Sequence, residues 1–408
     1  MAQVSLLNVK LYGEIIGTLT HVPGDRTLFS FTDAYARDPN RATLSLSFKD
    51  DLGQLITALP ATQTRLLPFF SNLLPEEALR HYLARRAGVN PQREFFLLWV
   101  LGRDLPGALV IEPLEGEAWP PGKGATTAQD GRPHEKALRF SLAGIQLKFS
   151  ALGDRKANKG LTIPAEGVGG SWIVKLPSMR FEGVPENEFA MMTLADRIGI
   201  NIPDVDLIDL SAIRNLPEGL GDLKGKAYVI ARFDRTPSGS VHMEDFAQVY
   251  GIYPEKKYGN ASYRNIATVI GAECPEEDIC EFTRRLVFNT LIGNADLHLK
   301  NWSLIYPDRR TAALAPAYDL VSTIAYIADD EAALKYARQR RFDAFTLDEL
   351  SYLAAKARLP QKPVLDTARE TVARFHEAWG KEKAHLPQAR RVTKAIDAHV
   401  ARLAIARI

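Results

Sequence analysis

The sequence predicts an α+β fold in which a strand-rich lobe is followed by a mostly helical lobe and preceded by a smaller α+β subdomain. Short runs of β-branched and aromatic residues recur as far as residue 244. From residue 245 onward the apolar residues follow helical spacing, and alanine, leucine and arginine dominate Thr367–Ile408. Proline and glycine crowd into Glu112–Lys136, which is typical of a linker. The expected divisions are a subdomain at 1–111, a linker at 112–136, a strand-rich lobe at 137–244 and a helical lobe at 245–408.

Local patterns predict the individual elements. In the subdomain, alternation predicts strands at Val4–Tyr12, Glu14–Leu19, Thr27–Phe31 and Thr43–Ser47. Helical spacing there predicts helices at Glu76–Ala87 and Pro91–Gly102. After the linker, strands are expected at Leu138–Ser141, Gln146–Ser150, Ser171–Leu176, Val205–Leu210 and Ala227–Phe233. One helix interrupts them at Glu186–Ile198, directly after Pro185, where a first-turn proline is tolerated.

Composition and charge exclude several classes of protein. The chain is 46% hydrophobic with a net charge of +2, which argues against disorder and against a general attraction to nucleic acid or membranes. Cys274 and Cys280 form neither a disulfide framework nor a CxxC metal pair, as expected in a reducing cytosol. Met1–Asn8 lacks signal-peptide features, and the longest apolar stretch, Glu94–Leu101, is far shorter than a membrane span. A cytoplasmic protein with no membrane partner is expected.

Polar residues are concentrated in one short segment between two apolar ones. A helical run ends at Gly293, and Asn294, Asp296, His298, Lys300 and Asn301 follow before an apolar strand resumes. Burying such groups costs free energy unless they are paired or used in chemistry. Asp296 and Asn301 are five positions apart, the D-x-x-x-x-N spacing of a protein-kinase catalytic loop. In that loop the aspartate accepts the proton of the substrate hydroxyl and the asparagine holds magnesium.

A second carboxylate follows at the expected place in the chain. Asp319 lies eighteen positions after Asn301, beyond one apparent hairpin. That order matches the magnesium-holding aspartate of kinases. Magnesium prefers hard oxygen ligands, and the Asp319 carboxylate and the Asn301 amide would supply them. A turn and a helix cap remain the alternative interpretation of Asp296 and Asn301.

A lysine inside an apolar strand is the third candidate. Lys175, within Trp172–Pro177, is costly to bury unless its ammonium meets an anion, such as the phosphates of a nucleotide. Glu186 or Glu188 of the following helix could pair with it, and the sequence leaves that choice open. Alternatively, Lys175 could extend its amine into water from a strand end.

Small residues in Ser141–Lys148 would allow backbone N–H groups to approach a phosphate closely. The segment is neither a Walker loop nor G-x-G-x-x-G, so by itself this signal is weak.

Together these segments resemble the HipA family of bacterial toxin kinases, and the resemblance extends over essentially the whole chain. The matching segments, in order, are Asn72–Glu76, Gly102–Leu109, Ser141–Lys148, Trp172–Pro177, Glu186–Phe189, Ala231–Arg235, Glu244–Phe246, Gly293–Asn301 and Ala315–Thr323.

The resemblance implies a protein-kinase-like fold with an added N-terminal subdomain, and a serine/threonine kinase that uses ATP and Mg²⁺. It implies that Asp296 is the catalytic base, that Lys175 binds phosphate, that Asn301 and Asp319 hold the metal, and that Ser141 is autophosphorylated, which ejects the phosphate loop and inactivates the kinase. The implied nucleotide-binding residues are Ala143, Gly144, Ile145, Gln146, Leu147, Lys148, Lys175, Ala231, Arg232, Phe233, His298, Leu299, Lys300, Asn301, Tyr318 and Asp319.

The resemblance also implies partners. These are a helix-turn-helix antitoxin of the HipB type, operator DNA reached only through that antitoxin, and a translation-related protein substrate such as an aminoacyl-tRNA synthetase. The alternatives are a catalytically weak nucleotide-binding corepressor and a small-molecule or lipid kinase. Two departures from the usual family pattern are Leu297 after the aspartate, where glycine is common, and Ala231, where glutamate is common. Neither removes a group that the chemistry needs.

Overall fold

The structure, a computed structural model, describes residues 5–114, 148–153, 161–162, 169–178, 180–216, 223–328 and 330–408. The predicted phosphate-loop residues Ala143, Gly144, Ile145, Gln146 and Leu147, and the predicted phosphorylation site Ser141, lie outside these ranges. So do the predicted strand Leu138–Ser141 and most of the predicted linker.

The N-terminal subdomain is one antiparallel sheet with helices packed against it. Strand β1 alternates strictly between buried and half-buried residues because one face of the sheet covers a core. The strand order is β4-β3-β2-β1-β5. The elements are β1 Ser5–Leu11, β2 Glu14–Val22, β3 Arg26–Phe31, α1 Asp33–Arg37, β4 Thr62–Gln63, α2 Pro68–Ser71, α3 Glu77–Ala87, α4 Glu94–Leu101 and β5 Leu109–Pro113.

One expected strand of this subdomain is wrong. Within Thr43–Ser47 the backbone enters a short 3₁₀ helix, Leu46–Phe48, instead of joining a sheet. The Ser45 hydroxyl caps that helix by accepting a hydrogen bond from the Ser47 N–H at 3.0 Å. Serine competes well for nearby backbone groups, and here the cap prevails over the strand-like alternation.

The strand-rich lobe is built on a four-stranded antiparallel sheet in the order β6-β8-β11-β9, with helix α5 packed on it. Helix α5 begins one residue before Pro185, as the proline predicts. The elements are β6 Lys148–Ala151, β7 Leu161–Thr162, β8 Trp172–Lys175, α5 Val184–Arg197, β9 Val205–Asp209, β10 Ile213–Arg214, β11 Lys226–Ala231, β12 Arg235–Thr236 and β13 Gly239–Ser240.

The remaining lobe is mostly helical and contains one small sheet, ordered β14-β15-β16. The hairpin of β15 and β16 lies between the predicted catalytic loop and Asp319, as expected from the sequence. The elements are β14 His242–Asp245, α6 Phe246–Val249, α7 Tyr263–Glu273, α8 Glu277–Leu291, β15 Ser303–Tyr306, β16 Ala313–Leu314, α9 Leu347–Ala357, α10 Gln361–Glu382 and α11 Arg390–Val400.

The central sheet belongs to two hydrophobic cores at once. Along β11, Ala227 and Val229 pack into the core of the N-terminal subdomain, whereas Tyr228 and Ile230 pack into the core of α5 and the helical lobe. Successive strand residues point to opposite faces, so a single strand serves both cores. The predicted α+β architecture of two lobes plus an N-terminal subdomain is confirmed, and the subdomain covers the outer face of the sheet. Its residue boundaries remain predictions.

In the ranges that the structure describes, none of the helices has the length and apolarity needed to cross a membrane.

Candidate active site

Lys175, the last residue of β8, has a buried ammonium between two carboxylates. Its Nζ forms ion pairs with Glu188 of α5 and with Asp319. Burial acts to lower the pKa of Lys175, but the charges of Asp319 and Glu188 outweigh it and raise the pKa above its usual value. The lysine is therefore a cation held inside the protein, and the alternative of an amine extended into water is excluded.

The structure settles which glutamate of α5 faces Lys175. Glu188 is buried, with a side chain only 4% exposed, and it makes the ion pair. Glu186, in the first turn, is half-buried. Two residues along a helix correspond to about 200° of rotation, so only one of the two can face the sheet.

The predicted catalytic loop follows α8 and is fixed by side-chain hydrogen bonds to its own backbone. The Asp296 N–H donates to Asn294 Oδ1 at 3.0 Å, and the Ala295 N–H donates to Thr323 Oγ1 at 2.8 Å. The Asn301 amide Nδ2 donates to the Asp296 carbonyl at 2.8 Å. The five-residue spacing of Asp296 and Asn301 therefore corresponds to a closed turn, in which the Asn301 side chain is hydrogen-bonded to the Asp296 backbone.

The carboxylate of Asp296 is half-buried and accepts a hydrogen bond from one hydroxyl. Tyr258 donates its phenolic O–H to Asp296 Oδ1 at 2.5 Å. Burial raises the pKa of Asp296, and the Tyr258 hydrogen bond and the Lys257 charge reduce that rise. A carboxylate whose pKa is raised by burial is a stronger base than an exposed one, which suits a group that accepts the proton of an attacking alcohol.

Asp319 connects the loop with Lys175. Its backbone has a left-handed conformation, with φ of 55°, which is uncommon for a residue other than glycine and places it among strained positions typical of functional sites. The Asn294 amide donates to its carbonyl at 3.4 Å, while its carboxylate meets Lys175. Lys175, Glu188 and Asp319 are thus brought together at the edge of the loop that carries Asp296.

The two residues predicted to hold magnesium have suitable chemistry. Asn301 uses its amide nitrogen on the Asp296 carbonyl, so the group left to ligate a cation is its oxygen. The Asp319 side chain is 27% exposed, so its carboxylate can be reached. One carboxylate and one amide oxygen, completed by phosphate and water, form a typical magnesium set.

Two aromatic residues predicted at the nucleotide site lie against each other. The rings of Phe233 and Tyr318 stack with centroids 5.9 Å apart. The Tyr318 hydroxyl donates to the Lys300 carbonyl at 2.9 Å. This pair links the segment after β11 with the residue next to Asp319.

Several other predicted nucleotide residues have side chains engaged elsewhere. The Arg232 guanidinium is 1% exposed and pairs with Asp104 at 2.7 Å and Asp234 at 2.8 Å. Leu299 is fully buried in the helical-lobe core. The Ala231 N–H donates to the Asp204 carbonyl at 2.8 Å. Any nucleotide contact from these residues would come from other backbone atoms, and the assignments remain predictions. Lys148 lies on β6, with only its backbone described.

His298 is buried two residues after Asp296, the predicted catalytic base. Its ring meets that of Tyr258 edge to face, with centroids 5.0 Å apart. Burial lowers the pKa of His298 to about 3, so the ring is neutral. Within the described ranges its Nδ1 is buried with no hydrogen-bond partner, and no hydrogen bond from the ring to a backbone carbonyl is present.

Three residues of this region were missed by sequence reasoning. Tyr258 precedes Asp296 by 38 positions, Lys257 is its chain neighbour, and Glu76 comes from the N-terminal subdomain. Burial raises the pKa of Glu76, but Lys300 and Lys257 outweigh it and lower that pKa to about 2. The only sequence signal for Glu76 was its place in Asn72–Glu76, one of the segments shared with HipA proteins.

Two family models match successive parts of the chain. Residues 140–379, more than half of the chain, match the HipA-like C-terminal domain family, and residues 7–112 match the HipA N-terminal domain family. This chain belongs to the HipA family. A candidate kinase of Sinorhizobium fredii, Y4dM, is 58% identical over 98% of this chain and 97% of its own length.

Within the HipA family, the serine/threonine-protein kinase toxin HipA of Shewanella oneidensis is 27% identical over 84% of this chain and 80% of that protein. A solved complex of Shewanella oneidensis HipA, HipB and operator DNA matches with a TM-score of 0.72 at 22% identity. The match covers 98% of this chain and 96% of the solved chain. It supports the kinase-like α+β fold with its added N-terminal subdomain.

Proposed function

We propose that this HipA-family protein is an ATP- and Mg²⁺-dependent kinase that phosphorylates a serine or threonine hydroxyl of a protein. The observation that carries the proposal is the meeting of Lys175, Glu188 and Asp319 beside the loop of Asp296. A buried cation and a reachable carboxylate suit a nucleotide triphosphate and its metal. The raised pKa of Asp296 suits a base that takes the proton of an alcohol.

Each residue has one part in this proposal. Lys175 would bind ATP phosphates, with Glu188 orienting its ammonium. Asn301 and Asp319 would hold Mg²⁺, which neutralises phosphate charge when bound. Asp296 would orient the acceptor hydroxyl and take its proton. Phe233 and Tyr318 would line the adenine side, together with backbone atoms near Ala231 and Arg232.

The finer expectations belong to the same proposal. Ser141 is the proposed autophosphorylation site, a translation-related protein such as an aminoacyl-tRNA synthetase is the proposed class of target, and a helix-turn-helix antitoxin of the HipB type is the proposed partner. The Shewanella oneidensis complex of HipA, HipB and operator DNA supports that partner. Operator DNA is proposed to be reached only through the antitoxin. The proposed divisions are 1–111, 112–136, 137–244 and 245–408.

The test incubates the full chain with Mg²⁺ and γ-labelled ATP, with and without cell lysate, and maps the phosphate by mass spectrometry. Asp296→Ala should reduce labelling by at least about 100-fold, the usual contribution of a general base. Asp51→Ala, at an exposed turn, is the control and should label normally. Labelling of Ser141 that disappears in Ser141→Ala would support the regulatory serine.

Two outcomes would contradict the proposal. Normal labelling by Asp296→Ala would remove Asp296 from the chemistry. Bound ATP without phosphate transfer to the chain itself or to any lysate protein would favour the nucleotide-binding corepressor.

A further inference from the structure

A carboxylate of the N-terminal subdomain reaches the predicted catalytic loop. Glu76, immediately before α3, lies 2.7 Å from Lys257 Nζ through Oε2 and 2.8 Å from Lys300 Nζ through Oε1. The two lysine side chains are only 6% and 5% exposed. One carboxylate of the subdomain is therefore the counter-ion of two buried ammonium groups from the helical lobe.

Lys300 is itself part of the loop, directly before the proposed metal ligand Asn301. Its ammonium also donates to the Asn72 carbonyl at 3.1 Å, so the subdomain holds it through two groups. Its backbone carbonyl accepts the hydrogen bond from Tyr318. The side chain of Lys300 is thus held by the N-terminal subdomain and its backbone by Tyr318, and both contacts restrain the 3₁₀ turn Leu299–Asn301.

Lys257 connects Glu76 with the base. Its carbonyl accepts a hydrogen bond from the Leu299 N–H at 3.3 Å, and the next residue, Tyr258, donates to Asp296. A displacement of Lys257 would therefore disturb the hydrogen bond to Leu299 and the one between Tyr258 and Asp296. Buried ammonium groups that lose their counter-ion rearrange towards water, because uncompensated charge in the interior is strongly unfavourable.

We propose that Glu76 is a positioning residue for phosphoryl transfer, which makes the N-terminal subdomain part of the active centre. By neutralising Lys257 and Lys300, Glu76 keeps residues 296–301 in the arrangement that presents the base and the metal ligand. The inference rests on the proposed kinase function. It gives the N-terminal subdomain a role in catalysis, although among the described residues no ion pair joins this subdomain to Lys175 or Asp319.

A second ion pair between the same two parts of the chain supplies a matched control. Arg65 of the subdomain pairs with Glu255 at 2.8 Å, only two residues before Lys257. Both side chains are substantially exposed, at 37% and 53%, and neither contacts the loop through a hydrogen bond of the described residues. Glu255→Gln thus removes a charge between the same lobes without uncovering a buried cation.

The first measurement is steady-state kinetics of the full chain. Glu76→Gln should lower kcat at least about tenfold, since small misplacements of catalytic groups can cost up to about 100-fold. The KM for ATP should change less than about threefold, because Lys175 and Glu188 are untouched. Glu255→Gln should remain within about twofold of the wild type. A wild-type kcat in Glu76→Gln, or equal losses in both variants, would overturn the inference.

A double-mutant cycle tests whether Glu76 acts through the loop lysine. In a Lys300→Met background, Glu76→Gln should cost much less than it does alone, because the buried ammonium of Lys300 is gone. Fully additive losses would mean that Glu76 acts by some other route, and the inference would be wrong.

Hydrogen–deuterium exchange of residues 294–302 gives a readout that does not need turnover. Glu76→Gln should exchange faster there than the wild type or Glu255→Gln, without added nucleotide. An unchanged exchange rate contradicts the inference. If the wild type itself transfers no phosphate, the proposed function fails while this measurement still decides the positioning. Should Glu76→Gln not fold, Glu76→Asp is measured in the same way. It keeps the charge but moves it away from both ammonium groups, so kcat should fall and exchange should rise less than the values given for Glu76→Gln, and wild-type values for both would overturn the inference.

Discussion

At the scale of single residues, the cluster of Lys175, Glu188 and Asp319 is better explained by function than by stability. Burying Lys175 and Glu188 and partly burying Asp319 removes hydration from their charges, and their mutual attraction offsets that cost only in good geometry. Apolar residues in such places often give equal or greater stability. Asp319 also has an unfavourable left-handed backbone. These costs are expected where charges must meet a charged ligand.

Tyr258 leads to a prediction about the acceptor substrate. Its hydroxyl occupies an oxygen of Asp296 that the acceptor hydroxyl would need, so the two compete. Tyr258→Phe removes the competitor and keeps the ring against His298. The KM for the protein substrate should fall about two- to tenfold, the worth of a hydrogen bond of about 0.5–1.5 kcal/mol, and the KM for ATP should stay constant.

The control for Tyr258→Phe is Tyr352→Phe on α9, which removes a hydroxyl elsewhere in the helical lobe. Both proteins would be compared in steady-state assays with the same acceptor. An unchanged or higher acceptor KM in Tyr258→Phe would show that its hydroxyl does not compete for Asp296.

At the scale of elements, the loop depends on how α8 ends. Gly293 follows this helix with φ of +65°, a conformation that favours glycine. A Cβ there would lie 2.5 Å from Ile324 Cδ1 and 3.0 Å from Ile324 Cγ2. The Gly293 carbonyl accepts from Thr323, which in turn accepts from the loop N–H of Ala295. The end of α8 and the loop are therefore joined through the Thr323 hydroxyl.

Gly293→Ala should lower the free energy of unfolding by about 1–2 kcal/mol, through backbone strain and crowding, and should also lower kcat. Gly24→Ala is the matched control, since Gly24 has φ of +82° and nothing within 4 Å of a Cβ. It should lose stability from strain alone and keep full activity. Chemical denaturation and the kinase assay give the two readouts. Normal kcat in Gly293→Ala would mean that the loop tolerates a shifted helix end.

At the scale of the whole molecule, the N-terminal subdomain joins the helical lobe around a second buried carboxyl. Glu244 of β14 is fully buried and accepts from the Leu46 N–H at 2.9 Å and from the hydroxyls of Ser45 and Tyr306 at 2.5 Å each. Burial raises the pKa of Glu244 to about 7 despite these donors, and neighbouring Asp245 raises it further. In the folded state this carboxyl is therefore easier to protonate than in the unfolded chain.

This shift makes stability depend on pH. The contribution of Glu244 is fully present below its unfolded pKa of about 4.5 and is lost as pH rises through about 7. In Glu244→Gln that loss should be absent, so the free energy of unfolding should fall less between pH 5 and 8, by up to about 3 kcal/mol. Some dependence of the free energy of unfolding on pH should remain in Glu244→Gln, because burial also raises the pKa of Asp245, to about 6. Denaturant titrations between pH 5 and 8 measure the free energy of unfolding. If it falls as steeply with pH in Glu244→Gln as in the wild type, Glu244 is not the titrating group.

The sequence by itself determined the order of the elements and the residue types from which the proposed site is built. Strand alternation, helical spacing and the position of Pro185 are local signals, and they predicted most strands and helices near their observed bounds. The spacing of Asp296 and Asn301 is also local, because one closed turn joins them. Where a local signal failed, at Thr43–Ser47, another local interaction, the Ser45 cap, was stronger.

Only the tertiary structure decided which distant residues meet. The choice of Glu188 over Glu186 depends on how α5 is rotated against the sheet, which is set by packing. The contacts of Tyr258 with Asp296 and of Glu76 with Lys300 join residues 38 and 224 positions apart. No local pattern encodes such pairs, because they result from the burial of two cores on opposite faces of one sheet.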